Sequence, residues 1–162
     1  MKARNIALCG LLALSCVRGV AAESDALPKK LAAFSGGYWT GLHHVELEGD
    51  TLLYWRGGPD DKKTAEHIKP SAQQWRDFRT ELDSIGIWRW RSDYSTRAIF
   101  DATAWISEIE YSDRSIKTGG DSGIFPDEAG SPAPDRSQRS REPYTRYVKA
   151  LQKLLCRETF PQ

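Results

Sequence analysis

The segment Ser71–Gly86 carries the strongest structural signal in the chain. It predicts an amphipathic helix whose first and last residues can both be recognised from the sequence. Ser71 and Gln74 form a capping-box pattern, in which each side chain bonds a backbone amide left free at the helix start. Four large apolar residues then recur at helical spacing: Trp75, Phe78, Leu82 and Ile85. Gly86 is a typical stop because glycine adopts the left-handed conformation there without strain. A helix with one apolar face needs a second layer to cover that face.

Two runs rich in aromatic and β-preferring residues precede this helix, and we predict that they form a hairpin. The runs are Tyr38–Glu48 and Thr51–Arg56, and Gly49-Asp50 between them is a two-residue turn with glycine first. Such a turn determines the register of the two strands. It places three pairs opposite one another: Leu47 with Leu52, Val45 with Tyr54, and His43 with Arg56.

The rest of the chain predicts three more strands and a second amphipathic helix. The strands are expected at Ile87–Tyr94, Ala102–Tyr111 and Arg114–Thr118. The helix opens at Pro143, which suits a first helical turn, and its apolar stripe is Tyr144, Tyr147, Val148, Leu151, Leu154 and Leu155. The order ββ-α-βββ-α therefore predicts an α+β fold, with a single antiparallel sheet of about five strands and two amphipathic helices on one face.

Residues 1–22 have the pattern of a secretory signal peptide. Lys2 and Arg4 precede the apolar run Ile6–Val17, which is shorter than the about 20 residues that span a bilayer. Val20-Ala21-Ala22 then provides the small residues that precede a cleavage site. We therefore expect an exported protein that begins at Glu23 and is located in the periplasm or outside the cell.

A second interpretation of the leader stays open. Ala13-Leu14-Ser15-Cys16 resembles the lipobox of bacterial lipoproteins, which would place a lipid anchor on Cys16 in the outer envelope. Cleavage after Ala22 instead leaves Cys156 as the only cysteine, so that no internal disulfide can form. Packing alone then has to hold the fold together.

Composition divides the part that follows the leader. Residues 23–37 contain Pro28, two lysines and Gly36-Gly37, and they predict an N-terminal tether. Residues 38–160 are expected to form a single α+β domain. Within it, residues 121–142 predict a flexible insertion, because they contain too few apolar residues to offset the entropy of ordering them.

The charge balance limits the partners that this chain can have. The chain has 23 Lys and Arg against 22 Asp and Glu, and the leader accounts for three of the basic residues and none of the acidic ones. A protein this close to neutrality has no field that would attract nucleic acid. A hydrophobic fraction of 40% also excludes a multi-span membrane protein, and we expect no transmembrane span.

A succession of aromatic motifs resembles small exported bacterial α+β domains of unknown function. The motifs are Ser71-x-x-x-Trp75-x-x-Phe78, Trp88-x-Trp90, Tyr94, Asp101, Trp105 and Tyr111-x-Asp113-Arg114. The resemblance covers residues 38 to 156 and implies a strand pair, a helix, three strands and a closing helix. It implies no reaction, since such families have none assigned.

One pair of motifs resembles the catalytic motifs of chymotrypsin-like proteases. Thr64-Ala65-Glu66-His67 and Gly120-Asp121-Ser122-Gly123 match the histidine and serine motifs, and Asp93 or Asp101 lies between them. That chemistry needs a serine in a rigid oxyanion turn, whereas Ser122 lies beside a low-complexity segment. The chain is also shorter than barrel domains, which routinely have about 200 residues or more. We therefore do not expect a serine protease.

A metal site is not expected either. His43 and His44 are adjacent, so on a strand they point to opposite faces. The chain contains no HExxH or CxxC spacing. A combination of His43 and His67 with Asp60 or Asp61 is the one ligand set that stays open in principle. Trp88 and Trp90 are expected to share a buried strand face, with Arg89 and Arg91 in solvent.

These observations favour a non-catalytic binding domain of the cell envelope or secreted fraction, without a cofactor. Its partner would be another envelope protein or a polymer. The candidate binding residues are His43, Tyr94 and Asp101, and no catalytic or metal-ligating residue is assigned. The alternative is a small hydrolase with a site near His43, Asp101 and Ser122.

Overall fold

A computed structural model describes residues 26–37, 41–95, 104–121, 124–126, 130, 132–133 and 142–157. Six strands form one antiparallel sheet: β1 Lys30–Gly37, β2 Gly41–Glu48, β3 Thr51–Arg56, β4 Glu66–Ile68, β5 Ala104–Glu110 and β6 Ser115–Asp121. The described residues include two α-helices, α1 Ala72–Ile85 and α2 Glu142–Leu154. Shorter elements are the 3₁₀ helices Pro59–Thr64 and Ile87–Arg89, and a separate strand pair, β7 Phe125–Pro126 and β8 Pro132–Ala133.

The predicted α+β fold is confirmed, with one more strand than expected in the main sheet. The strand order across the sheet is β4-β3-β2-β1-β5-β6. The apolar stripes of α1 and α2 pack in one cluster with inward residues of the sheet such as Leu31, Val45 and Ile109. Both helices therefore cover the same face, which we call the covered face; the other is the open face. No helix among the described residues is long and apolar enough to cross a bilayer.

The first helix and the hairpin have the geometry that their sequences predict. Ser71 Oγ accepts a hydrogen bond from the Gln74 amide at 3.3 Å, and Gln74 Oε1 accepts one from the Ser71 amide at 2.9 Å. Gly86 ends α1 with a φ of 65°. All three predicted strand pairs occur: Leu47 with Leu52, Val45 with Tyr54, and His43 with Arg56. Local signals therefore sufficed for these two elements.

The prediction of a tether over residues 23–37 is wrong for residues 30–37. These residues form β1, which lies in the middle of the sheet between β2 and β5. Its covered-face positions are Leu31, Ala33 and Ser35, which are all buried. Ala33 and Ser35 are small, and Ser35 is also polar. The run therefore lacks the alternation of large apolar residues that marks a strand. The domain therefore begins before Tyr38.

The predicted strand Ile87–Tyr94 is also wrong. The chain forms a 3₁₀ helix at Ile87–Arg89, and only Tyr94 makes a bridge to the sheet. Ile87 and Trp90 are both buried, and a spacing of three residues puts them on one side of a 3₁₀ turn. Arg89 and Arg91 are exposed, as predicted. The aromatic, β-preferring composition predicted a strand here. The chain instead forms a 3₁₀ turn that continues directly from the end of α1 at Gly86.

The flexible insertion predicted at 121–142 is wrong where the structure describes it. Asp121 belongs to β6, and Glu142 opens α2. Between them, β7 pairs with β8, and Phe125 is buried with its ring centroid 4.9 Å from that of Tyr144. One large aromatic residue therefore anchors this otherwise polar segment on α2. Residues 122–123, 127–129, 131 and 134–141 lie outside the described residues.

Candidate binding surface

His43, the first candidate residue, lies inside the fold rather than at its surface. Its side chain is 4% exposed and points to the covered face of the sheet. A hydrogen bond of 2.8 Å joins His43 Nδ1 to the hydroxyl of Tyr54 on the neighbouring strand. A substrate could not reach this ring without displacing the layer above it. His43 therefore acts as a satisfied polar residue of the core.

Tyr94, the second candidate, is likewise buried, at 1% exposure. Its hydroxyl accepts a hydrogen bond from the Arg91 amide and donates one to the Gly130 carbonyl. Its amide donates to the Gly119 carbonyl at 2.8 Å, so that the chain is held against β6. These contacts give Tyr94 a structural role at the edge of the sheet.

His43 and Tyr94 do not form one site. Both lie on a single row across the sheet, made of His43, Ser35, Trp105, Gly120 and Tyr94. Four strand spacings of about 4.8 Å separate them by about 19 Å. Asp101 and Ser122 lie outside the described residues, so nothing places them beside either residue. The hydrolase alternative thus gains no assembled group of catalytic residues.

The histidine combination that the sequence left open for a metal is split by the sheet. His67 pairs with Leu53 and is exposed on the open face, whereas His43 is buried on the covered face. The two imidazoles therefore cannot share an ion. Within the described ranges, no group of three His, Cys, Asp or Glu residues could hold a metal.

The open face of the sheet carries a continuous row of apolar and aromatic residues. Successive partners across five strands are Gly119, Ile106, Phe34, His44 and Trp55. The imidazole of His44 stacks on Trp55 with 4.7 Å between centroids and an interplanar angle of 4°. On its other side, the Phe34 centroid lies 4.9 Å away. We call these five residues the apolar row.

The surroundings of His44 in this row favour the neutral form of its imidazole. Its Nε2 lies 3.1 Å from the Gly57 carbonyl, a bond in which the ring donates. Partial burial lowers the pKa of His44 below its usual value of 6.5, and the Gly57 bond offsets only part of this effect. At neutral pH, the imidazole therefore adds no charge to the row.

One half of the open face is covered, and the other half is not. The Lys62 ammonium of the 3₁₀ helix Pro59–Thr64 lies 5.7 Å from the Trp55 ring centroid and also pairs with Glu46 and Glu48. Trp55 is accordingly buried. At the other end of the row Ile106 is 50% exposed, and Leu42, which lies on β2 two residues before His44 on the same face, is 36% exposed. Single exposed apolar side chains are common on protein surfaces, but these two adjoin the aromatic side chains of the row, and a contiguous exposed apolar patch indicates a contact surface.

A shallow cavity of about 330 Å³ adjoins Ile106 at the free edge of β6. Its lining residues are Ser92, Asp93, Ser95, Ala104, Trp105, Ile106, Lys117, Thr118, Gly119 and Gly120. It lies between the end of β6 and residues 92–95. We call it the edge notch. Together with Ile106 and Leu42, the notch forms the uncovered half of the open face.

A larger cavity of about 410 Å³ lies between the two helices. Its floor contains the buried side chains of Phe78 and Leu154. Arg146 of α2 bridges it through a 2.7 Å ion pair with Glu81 of α1, and its guanidinium also bonds Ser84 Oγ. This bridge ties the helices together, and we interpret the cavity as the seam of their packing.

Arg79 organises an ion-pair cluster that sequence reasoning missed. Its guanidinium donates two hydrogen bonds to Asp113, at 3.1 and 2.8 Å, and one to Asp83. It also lies over the rings of Tyr111 and Trp88, 4.3 and 5.1 Å from their centroids. Arg79 lies on α1 and Asp113 in the β5–β6 turn, so only the folded chain brings them together. The cluster anchors that turn to the helix.

Acid should weaken this anchor. The Arg79 hydrogen bonds hold the pKa of Asp113 well below its unfolded value of 3.8. The stabilisation is therefore fully present above that value and is lost as the pH falls through the folded-state pKa. We expect the melting temperature to fall on acidification below about pH 4, and to fall less in Asp113→Asn. As a control, Asp60→Asn removes an exposed carboxylate outside the cluster. If its melting temperature also fell less on acidification, by as much as that of Asp113→Asn, the role of Asp113 would be contradicted.

Comparison of the chain with protein-family models, with curated proteins and with solved structures finds no match in any of the three.

The residues that the structure brings forward are not those that the sequence singled out. Ile106 follows Trp105 and precedes Ser107, so the strand pattern places it on the solvent side, where a large aliphatic residue is unexpected. This signal is present in the sequence itself. Phe34 carried none, because its segment did not look like a strand.

Proposed function

We propose that this chain is a non-catalytic binding domain of an exported protein, located in the periplasm or outside the cell. Its partner, another envelope protein or a polymer, docks on the uncovered half of the open face. The observation that carries the proposal is the exposure of Ile106 in the apolar row and of Leu42 beside that row. The signal-peptide pattern of residues 1–22 supports the location, and a lipid anchor at Cys16 is the alternative.

Apolar contact, rather than charge, is the force that this surface offers. The charged residues next to the row are already paired: Lys30 with Glu108 at 2.8 Å, Lys117 with Glu108 at 3.8 Å, and Lys62 with Glu46 at 2.7 Å. Covering the exposed half of an isoleucine side chain contributes about 1 kcal/mol. Leu42 and Phe34 add to this, so a partner gains most by burying these three side chains.

Site-specific photo-crosslinking tests this proposal. A photoreactive amino acid at position 106 should form adducts in the producing cell, whereas the same group at position 48 should not. Glu48 is a matched control because it lies on β2 of the same sheet, faces the same side as His44 and is exposed. The adducts should be recovered from the envelope or the medium, with a protein mass that starts at Glu23.

Each part of the proposal has an outcome that would overturn it. Equal adduct yields from both positions, or none from position 106, would mean that the surface has no partner. Recovery from the cytoplasm would contradict export, and a diacylated Cys16 would establish the lipid anchor instead. Hydrolysis of an ester or peptide substrate that is lost in His43→Ala would favour the enzyme.

A further inference from the structure

The edge strand β6 has backbone groups whose direction can be worked out from two bonds. The Tyr94 amide donates to the Gly119 carbonyl from outside the sheet, so the backbone of Gly119 points away from β5. The Tyr111 amide donates to the Arg114 carbonyl, so Arg114 points towards β5. Directions alternate along an antiparallel strand. Ser115 and Lys117 lie in phase with Gly119 and out of phase with Arg114. Their backbone amides and carbonyls therefore also point away from β5.

These outward groups are available. The chain at Tyr94 runs parallel to β6 and bridges Gly120, and the Arg91 carbonyl accepts a hydrogen bond from Thr118 Oγ1, so the described contacts of this segment lie near the end of the strand. In the described part of the chain, the outward amides and carbonyls of Ser115 and Lys117 have no backbone partner. Both residues are exposed. A row of such groups at a sheet edge is a template for another strand.

The free edge lies directly beside the apolar contact surface. Lys117 and Gly119 both line the edge notch, and Ile106 lies opposite Gly119 on the neighbouring strand. A strand beside Ser115 and Lys117 would direct alternate side chains onto the open face at the edge notch, which Ile106 also lines. The same ligand could therefore use backbone bonds at the edge and side-chain burial on the face.

We propose that the partner of this domain is a polypeptide, and that an extended segment of it adds as a further strand to β6 at Ser115–Lys117. This inference rests on the proposed binding function and narrows its partner class from protein or polymer to protein. The backbone carbonyls and amides of a peptide would supply the acceptors and donors for the outward groups of Ser115 and Lys117. A second copy of the chain is a poorer occupant, because self-pairing would place two Lys117 side chains on one short stretch, and an edge lysine opposes self-pairing.

Lys117→Pro tests the strand addition. Proline removes the outward amide but no bond to β5, and an edge strand tolerates it at such a position. The probe is a library of linear peptides displayed on phage, from which binders of the full chain are selected. A selected peptide should bind Lys117→Pro about tenfold more weakly, since one peptide carbonyl loses its donor. Lys117→Ala keeps the amide and should bind as the parent does.

A second measurement leaves the protein unchanged. N-methylation of alternate amides in the selected peptide should abolish binding for one set of positions, whereas methylation of the other set should have little effect. Failure to select any peptide, equal binding by Lys117→Pro, or equal effects of both methylation sets would overturn the inference. Crosslinking at position 106 tests the binding function separately. If crosslinking is positive but the peptide experiments are negative, only the addition of a strand to β6 is refuted.

Discussion

Replacing Trp105 by alanine is expected to lower the free energy of unfolding by about 3–5 kcal/mol. Trp105 lies on β5 under α2 and is 2% exposed. Its ring centroid is 4.8 Å from that of Tyr144, 5.9 Å from Tyr94 and 6.3 Å from Trp90. Its indole nitrogen has no hydrogen-bond partner among the described residues, so packing accounts for the loss. A domain of this size has a stability of about 5–15 kcal/mol, so the change removes much of it.

The neighbouring residue supplies the control for this experiment. Ile106→Ala shortens a side chain that is half exposed on the opposite face, and we expect it to cost less than about 1 kcal/mol. Urea unfolding followed by far-ultraviolet circular dichroism measures both variants. Similar losses in the two would mean that Trp105 is not the central packing residue. The same control matters for binding, since Ile106→Ala has to fold for a loss of crosslinking to be interpretable.

Gly36→Ala should also destabilise the sheet strongly, by about 3 kcal/mol, the upper end of the usual cost of overpacking. A Cβ at Gly36 would lie 2.2 Å from the Gly41 carbonyl oxygen and 2.7 Å from Leu42 Cα. Both are backbone atoms of β2, so no side chain can move aside to make room. Relief requires β1 and β2 to separate where they begin to pair. Leu42 would move with them, so the contact surface should be altered as well.

Gly49→Ala distinguishes this clash from the ordinary cost of replacing a glycine. Gly49 has a φ of 63°, but no atom lies within 4 Å of the position that an alanine Cβ would take, so its substitution strains the backbone without a collision. That strain costs about 1–2 kcal/mol. Thermal unfolding of both variants should rank Gly36→Ala as the more damaging. The reverse order would show that β1 and β2 can separate at little cost.

Elements with strong local signals could be predicted from the sequence. All the signals of α1 lie within one stretch of chain: the capping residues Ser71 and Gln74, the apolar stripe that ends at Ile85, and the stop at Gly86. A helix can be recognised from such signals without any distant residue. The hairpin is similar, because the two-residue turn Gly49-Asp50 sets its register. Such elements form the parts of the fold that are confirmed residue by residue.

The candidate site could not be predicted in the same way. The sequence analysis named His43 as a candidate binding residue, yet its partner Tyr54 satisfies it inside the core. Tyr94 was named as a candidate as well, yet its contacts are structural. Function depends on which surfaces remain uncovered. That property belongs to the arrangement of all the elements and leaves only a faint trace in any one of them, such as the outward Ile106.

The amino-acid sequence alone was enough for the two helices, the hairpin register and the α+β class, because propensity, capping and periodicity act over a few neighbouring residues. The tertiary structure was needed for β1, whose small residues Ala33 and Ser35 become a central strand only because β2 and β5 supply partners on both sides. It was also needed for the open face. Lys62 covers Trp55 while nothing described covers Ile106, and long-range packing alone makes that difference.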